Sequence, residues 1–188
     1  MNEKKIIVFG SNGLVGSSIV RKLSLSDKFE VFPSTRKDTN LFNIDEVKST
    51  LNTVNPDVVI IAAAKVGGIH ANNTQRVEFL IENLKINMNI FEACIENPNI
   101  HIINLGSSCI YPLNSPNPIS EKEFMNGVLE KTNSPYAMAK LTSIELADAM
   151  KIQFGHKITN LMPTNLYGPN DNFSLEFSHV IPGLIHRM

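Results

Sequence analysis

The chain has 188 residues, 43% of them hydrophobic, enough for one domain that buries roughly 70% of the surface its unfolded chain would expose. Seventeen basic against 18 acidic side chains leave a formal net charge of -1, so no basic field exists to draw in nucleic acid. The longest apolar run, residues 58–64, is far short of the roughly 18 to 20 that a membrane helix needs, and the start MNEKK leads into only four apolar residues, so we expect a cytoplasmic protein without a membrane segment.

Short β-branched runs then alternate with longer helical patterns, which is how βαβ units read in sequence. Residues 6–9 form a buried strand, followed by a glycine-rich turn and a helix over 14–25 with Leu14, Ile19, Val20 and Leu23 available for packing. A second strand is expected at 29–32, a helix at 44–54 and a third strand at 58–61 that runs into Ala62-Ala63-Ala64. A long helix over 75–97 stops at Pro98, and residues 101–105 form the fourth strand. Residues 106–132 are rich in proline, serine and asparagine and read as a long loop, a feature that usually carries function in a compact domain. A helix over 135–154, a fifth strand at 157–162, a turn-rich stretch to Ser178 and a partly apolar segment from Val180 complete the chain. The pattern predicts an α/β fold, a doubly wound parallel sheet of the Rossmann-like kind.

Gly10-Ser11-Asn12-Gly13-Leu14-Val15-Gly16 follows the first strand directly and opens a helix. In that position glycines allow a tight turn and bring backbone N–H groups, at the positive end of a helix dipole, up to a pyrophosphate. The spacing GxxGxxG departs from GxGxxG and resembles the short-chain dehydrogenase/reductase variant. About 20 residues past the turn, where a carboxylate would hold the ribose of NAD, the sequence reads Ser34-Thr35-Arg36-Lys37. A guanidinium there suits a 2′-phosphate, so the expected cofactor is NADP(H), with Asp38 close by as the one contrary charge.

Tyr136 and Lys140 stand at i and i+4 of the helix after the fourth strand, on one face. A phenol beside an ammonium can pass a proton to a substrate oxygen, and the cation is expected to favour the phenolate. Ser107 or Ser108, just past the strand, would polarise the same oxygen, and Ser107 is the choice. Two cysteines, Cys94 and Cys109, make no disulfide framework, and no CxxC or Cys/His cluster suggests a metal.

Several less common strings narrow the reading: Ala62-Ala63-Ala64-Lys65-Val66-Gly67-Gly68-Ile69 with Asn72-Asn73-Thr74, Leu105-Gly106-Ser107-Ser108-Cys109-Ile110-Tyr111-Pro112, Met162-Pro163-Thr164-Asn165-Leu166-Tyr167-Gly168-Pro169, and Ser178-His179-Val180-Ile181-Pro182. Together they resemble the GDP-L-fucose synthase family, epimerase-reductases of GDP-4-keto-6-deoxy-D-mannose within the extended short-chain dehydrogenases/reductases. The resemblance implies that Cys109 and His179 are the acid and base of a 3,5-epimerisation, and that Ser107, Tyr136 and Lys140 serve a reduction at C4 by NADPH. It further implies that Leu105, Lys140, Pro163, Asn165, Leu166 and His179 contact the cofactor, together with the glycine turn and Arg36. Arg187 would touch a GDP-sugar substrate. Residues 1–188 would then be an NADP-binding domain in which 163–188 lead into a substrate lobe, most of which this chain lacks. A homodimer is implied for the full-length protein. Two other readings exist: another nucleotide-sugar epimerase or dehydratase of this fold, such as a 4-epimerase that keeps NAD and needs neither Cys109 nor His179, and a non-catalytic dinucleotide-binding fragment.

Overall fold

The computed structural model describes residues 3–174 and 178–188. Five strands, β1 (Lys4–Phe9), β2 (Phe29–Ser34), β3 (Val58–Ile61), β4 (His101–Leu105) and β5 (Ile158–Leu161), form one sheet in the order β2-β1-β3-β4-β5. Every neighbouring pair is parallel, with Ile7 of β1 set between Phe32 and Val59. The chain leaves β1 toward β2 and then returns past β1 to β3, so the connections diverge at the carboxyl ends of β1 and β3. Ligands of open α/β sheets bind in the crevice that this reversal creates.

Side chains alternate across the sheet and build two apolar layers. Ile6, Val8 and Ile60 face helix α1 (Leu14–Leu23) through Ile19, Val20 and Leu23. On the other face Ile7, Phe9, Val59, Ile61 and Ile102 pack against α2 (Ile44–Val54), α4 (Arg76–Cys94) and α5 (Ser134–Phe154). Buried Cys94 belongs to this second layer, and burial pushes its thiol pKa up to about 12, so it acts as a small apolar side chain.

The doubly wound parallel sheet is as expected; several element ends shift by one to three residues, and three differences from the sequence reading have a local cause or add an element. β2 runs two residues past Phe32, through Pro33, because it is an edge strand on which a missing N–H costs no ladder bond. A separate short helix, α3 (Ile69–Thr74), precedes α4. Its hydrogen bonds are local ones that sequence periodicity does not report: Asn72 Nδ2 donates to the carbonyls of Gly67 and Gly68, and Thr74 Oγ1 to that of His70. The last helix, α6 (Val180–His186), forms from the apolar segment at the end of the chain.

Candidate active site

The glycine turn sits where β1, β2 and β3 end. Gly10 N and Ser11 N both donate to the carbonyl of Ser34, at 2.9 and 3.1 Å, which ties the turn to the end of β2. Gly10 has φ 81°, and a Cβ there would lie 2.6 Å from the backbone of Ala63, so only glycine fits. A Cβ on Gly16 would lie 2.1 Å from the Gly10 carbonyl oxygen, which makes that glycine a packing requirement of α1 on the turn. Gly13 is different, since its nearest neighbour would be 3.5 Å away. It caps α1 without a side chain, and no acidic residue occupies the first turn. The first-turn N–H groups are thus left to an outside acceptor, and the dipole favours an anion there.

A cleft of about 390 Å3 opens beside this turn. Gly10, Asn12 and Gly13 line one side, Thr35, Arg36 and Phe42 a second, and Ala62 to Val66 a third. Arg36 is exposed, with its guanidinium 5.0 Å from the centre of the Phe42 ring. These residues fit a dinucleotide: uncapped N–H groups for a pyrophosphate and a cation at the far wall. Asp38 is absent from the lining. Its carboxylate instead accepts from Thr35 N and Oγ1 at 2.8 and 2.6 Å.

A second group of residues gathers where the loop after β4 meets the first turns of α5. Lys140 is buried, and its Nζ donates to the carbonyl of Leu105 at 2.7 Å and lies 5.9 Å from the Tyr136 ring centre. Desolvation lowers the Lys140 pKa to about 8. Ser107 caps a short 3-10 turn by accepting from Cys109 N at 3.2 Å, which fixes the Cys109 backbone two residues from the hydroxyl. Tyr136 stands against both: burial first, and then the nearby Cys109, push its phenol up to about 12, while a hydrogen bond with Ser107 acts in the lowering direction. This reverses the direction expected from the Tyr136–Lys140 spacing. Burial outweighs a cation that is itself desolvated, and the phenol stays in the protonated form that can donate.

Because Lys140 has a folded-state pKa near 8 against an ordinary 10.5, the unfolded chain binds more protons than the folded one between these values. Lys140 should therefore make stability rise with pH across that window. The swing is roughly 3 to 4 kcal/mol, since each pKa unit is worth about 1.4 kcal/mol. Raised pKa values at Cys94 and Tyr136 act in the opposite sense at higher pH, but they are common to a Lys140→Met variant and cancel in the difference. We expect the unfolding free energy of the unmutated chain, minus that of Lys140→Met, to climb between pH 8 and 10.5 in urea titrations. A constant difference would remove the desolvated-ammonium assignment.

Two further contacts join this cluster to the cleft, and neither was anticipated. Asn83 of α4 is buried and uses its whole amide, Oδ1 accepting from Lys65 N at 2.9 Å and Nδ2 donating to the carbonyls of Lys65 and Phe79. It thereby clamps the backbone that forms the third wall of the cleft. Phe79 carries Lys65 Nζ over its ring at 5.7 Å and meets Tyr136 edge-on at 6.4 Å between ring centres. The available signal was an asparagine on the buried stripe Phe79, Asn83, Ile86, Asn87 and Ile90.

The loop after β5 touches the cluster at Ser108 and the helix α1 beyond the glycine turn. Ser108 N donates to the Pro163 carbonyl at 3.2 Å, and Asn170 Nδ2 reaches Ser17 Oγ of α1 at 3.0 Å. Asn165 and Leu166 lie exposed along this loop. His179 precedes α6 and Arg187 follows it, both exposed. Among the described residues no hydrogen bond joins either of them to Ser107, Cys109 or Tyr136, whereas Ser107, Cys109, Tyr136, Lys140 and Leu105 are brought together.

A family model described as the NAD dependent epimerase/dehydratase family matches residues 6–188. The chain is 42% identical over 187 residues to the GDP-L-fucose synthase of Escherichia coli (strain K12), covering 100% of this chain and 58% of that protein. It is 46% identical over 183 residues to GDP-L-fucose synthase 1 of Arabidopsis thaliana, covering 97% of this chain and 57% of that one. The crystal structure of a GDP-L-fucose synthetase from Naegleria fowleri bound to NADP superposes with a TM-score of 0.85 at 31% identity, over 100% of this chain and 62% of that one. The chain thus spans less than two thirds of the length of the curated relatives it matches.

Proposed function

Because the chain belongs to the NAD dependent epimerase/dehydratase family, we propose that it is the dinucleotide-binding part of a GDP-L-fucose synthase. In this reading it performs 3,5-epimerisation of GDP-4-keto-6-deoxy-D-mannose and NADPH-dependent reduction at C4. One observation carries the reading: Ser107 holds the turn that bears Cys109, accepting from Cys109 N at 3.2 Å, and Tyr136 is influenced by both residues, so an epimerase thiol and a reductase phenol would share one site. The relatives named above add support through their own names, and one of them was solved with NADP.

The glycine turn from Gly10 to Gly16 would hold the pyrophosphate, Arg36 the 2′-phosphate, and Leu105, Lys140, Pro163, Asn165 and Leu166 the nicotinamide side. NADPH, when bound, supplies the hydride that reaches C4. Tyr136 keeps its proton at neutral pH and donates it to the C4 oxygen, while Ser107 hydrogen-bonds that oxygen and Lys140 orients a ribose hydroxyl. The ketone acidifies the protons on C3 and C5, and Cys109 with His179 would remove and return them on opposite faces through an enolate of the sugar. Residues 163–188 would lead toward a substrate-binding part, where Arg187 would meet the GDP-sugar.

The decisive assay uses a hybrid in which residues 1–188 replace the matching part of the Escherichia coli relative. Formation of GDP-L-fucose from the 4-keto sugar and NADPH is the expected result. A folded hybrid that binds NADPH and yields no product would overturn the reading. A homodimer belongs to the same proposal, supported by exposed Val77, Ile81 and Met88 on one side of α4, and a hybrid sedimenting only as a monomer would remove it. No helix among the described residues is long and apolar enough to cross a membrane, and both thiols are free, which supports a cytoplasmic setting.

Cofactor choice can be tested on the 188-residue chain itself. NADPH should bind more tightly than NADH, and Arg36→Ala should lose most of that preference, since a charge-assisted contact contributes about 1.5 to 3 kcal/mol. Equal dissociation constants for the two nucleotides in the unmutated chain, measured by calorimetry, would rule this out.

A further inference from the structure

An acidic side chain two residues from a 2′-phosphate contact ought, on charge alone, to work against NADPH. The geometry around Arg36 points the other way. Asp38 Oδ2 accepts from both the N–H and the hydroxyl of Thr35, while Thr35 Oγ1 accepts from Lys37 N at 3.2 Å. The Thr35 carbonyl in turn accepts from Asp38 N at 3.1 Å and Thr39 N at 3.0 Å. This is half of a capping box, the Asp38 carboxylate reaching back to Thr35 N while the Thr35 hydroxyl takes the N–H of Lys37, closed around a single turn with Arg36 inside it.

The turn is anchored from below as well. Ser34 Oγ donates to Thr39 Oγ1 at 3.1 Å, and Thr39 Oγ1 lies 2.9 Å from Thr50 Oγ1 of α2, with Thr39 fully buried. Ser34 also carries the carbonyl that holds Gly10 and Ser11, so the turn and the glycine loop are parts of one framework. The Arg36 backbone is therefore fixed by Asp38 on one side and Ser34 on the other, and its guanidinium rests over Phe42. Thr35, Arg36 and Thr39 line the cleft and Asp38 does not. The carboxylate is engaged by Thr35, which holds its pKa below the usual range, and Lys37 stands beside it as a partial countercharge.

We propose that Asp38 is a positioning residue for nucleotide selectivity: it closes the turn that presents Arg36, and so favours the 2′-phosphate that its charge would otherwise repel. The proposal rests on the reading of Arg36 as the 2′-phosphate contact. A pre-organised guanidinium gives up less freedom on binding, and that saving exists only for a nucleotide that carries the phosphate.

Calorimetry of the 188-residue chain with NADPH and with NADH tests this. Asp38→Ala should weaken NADPH about five- to tenfold and leave NADH within about twofold, the scale of one lost charge-assisted hydrogen bond. Asp38→Asn keeps an oxygen that can accept both Thr35 bonds and removes the charge, so it should stay within about threefold of the unmutated chain for NADPH. In an Arg36→Ala background, Asp38→Ala should have no further effect, because the two residues act through one another. Tighter NADPH binding by Asp38→Ala would show that repulsion governs and overturn the proposal. Equal weakening of both nucleotides, or an effect that survives in the Arg36→Ala background, would overturn it as well. Should Arg36→Ala by itself leave the nucleotide preference unchanged, the assignment of Arg36 fails first, and that arm identifies it as the cause.

Discussion

In the hybrid, Tyr136→Phe is expected to lower the rate of C4 reduction by about a hundred- to ten-thousand-fold, the range that a positioned general acid contributes. Solvent deuterium should still enter the sugar at C3 and C5. The separation follows from where the two groups sit. Tyr136 is carried by α5 beside Lys140 and Ser107, whereas Cys109 is fixed by the 3-10 turn that Ser107 caps. Replacing the phenol by phenyl keeps the edge-on contact with Phe79, so the loss is one of proton donation and not of packing. Cys109→Ser should do the converse, suppressing deuterium entry while an already epimerised ketone is still reduced. Exchange by Cys109→Ser at the unmutated rate would refute its role as acid or base, and undiminished reduction by Tyr136→Phe would refute the phenol's.

What the amino-acid pattern disclosed and what it concealed divide along the range of the interactions. Helix α2 could be bounded to the residue because its signals are local: Asn43 caps Asp45 N and Glu46 N, and Asn55 takes a left-handed conformation just past the end. Strands β3 and β4 were equally plain, as short apolar runs buried in the middle of a sheet. The Tyr136–Lys140 spacing predicted a shared face, but the sign of the Tyr136 shift depends on burial by other elements, which spacing does not encode. Asn83 was missed for a related reason. Its partners lie 18 residues away at Lys65, and on a buried helical stripe an asparagine announces only that some partner exists. Asp38, read as a contrary charge, turns out to be bonded within its own turn, a local motif hidden by attention to its sign.

Gly16→Ala and Gly13→Ala, one helical turn apart, are expected to fail in different ways. At Gly16 the added methyl would lie 2.1 Å from the Gly10 oxygen, 2.8 Å from its carbonyl carbon and 2.9 Å from Ser11 Cα. None of these atoms can retreat, since Gly10 N and Ser11 N are bonded to Ser34 and Gly10 abuts the Ala63 backbone. Overpacking of this kind costs about 1 to 3 kcal/mol or more. For a chain of this size that lowers the melting temperature by about 3 to 10 °C, and the distorted turn should no longer bind NADPH. At Gly13 the backbone has φ -75°, ordinary for any residue, and the nearest atom is 3.5 Å away. Alanine should therefore leave melting unchanged or raise it by about 1 to 4 °C, through a less flexible unfolded chain. Its methyl nevertheless stands at the uncapped end of α1, on the wall of the cleft, where in the proposed reading a pyrophosphate would approach the backbone. NADPH affinity should fall at least about tenfold, because the displaced phosphate loses charge-assisted bonds to several N–H groups at once. Equal melting losses in the two variants would refute the division between a packing glycine and a binding glycine, and unaltered NADPH affinity in Gly13→Ala would show that the pyrophosphate sits elsewhere.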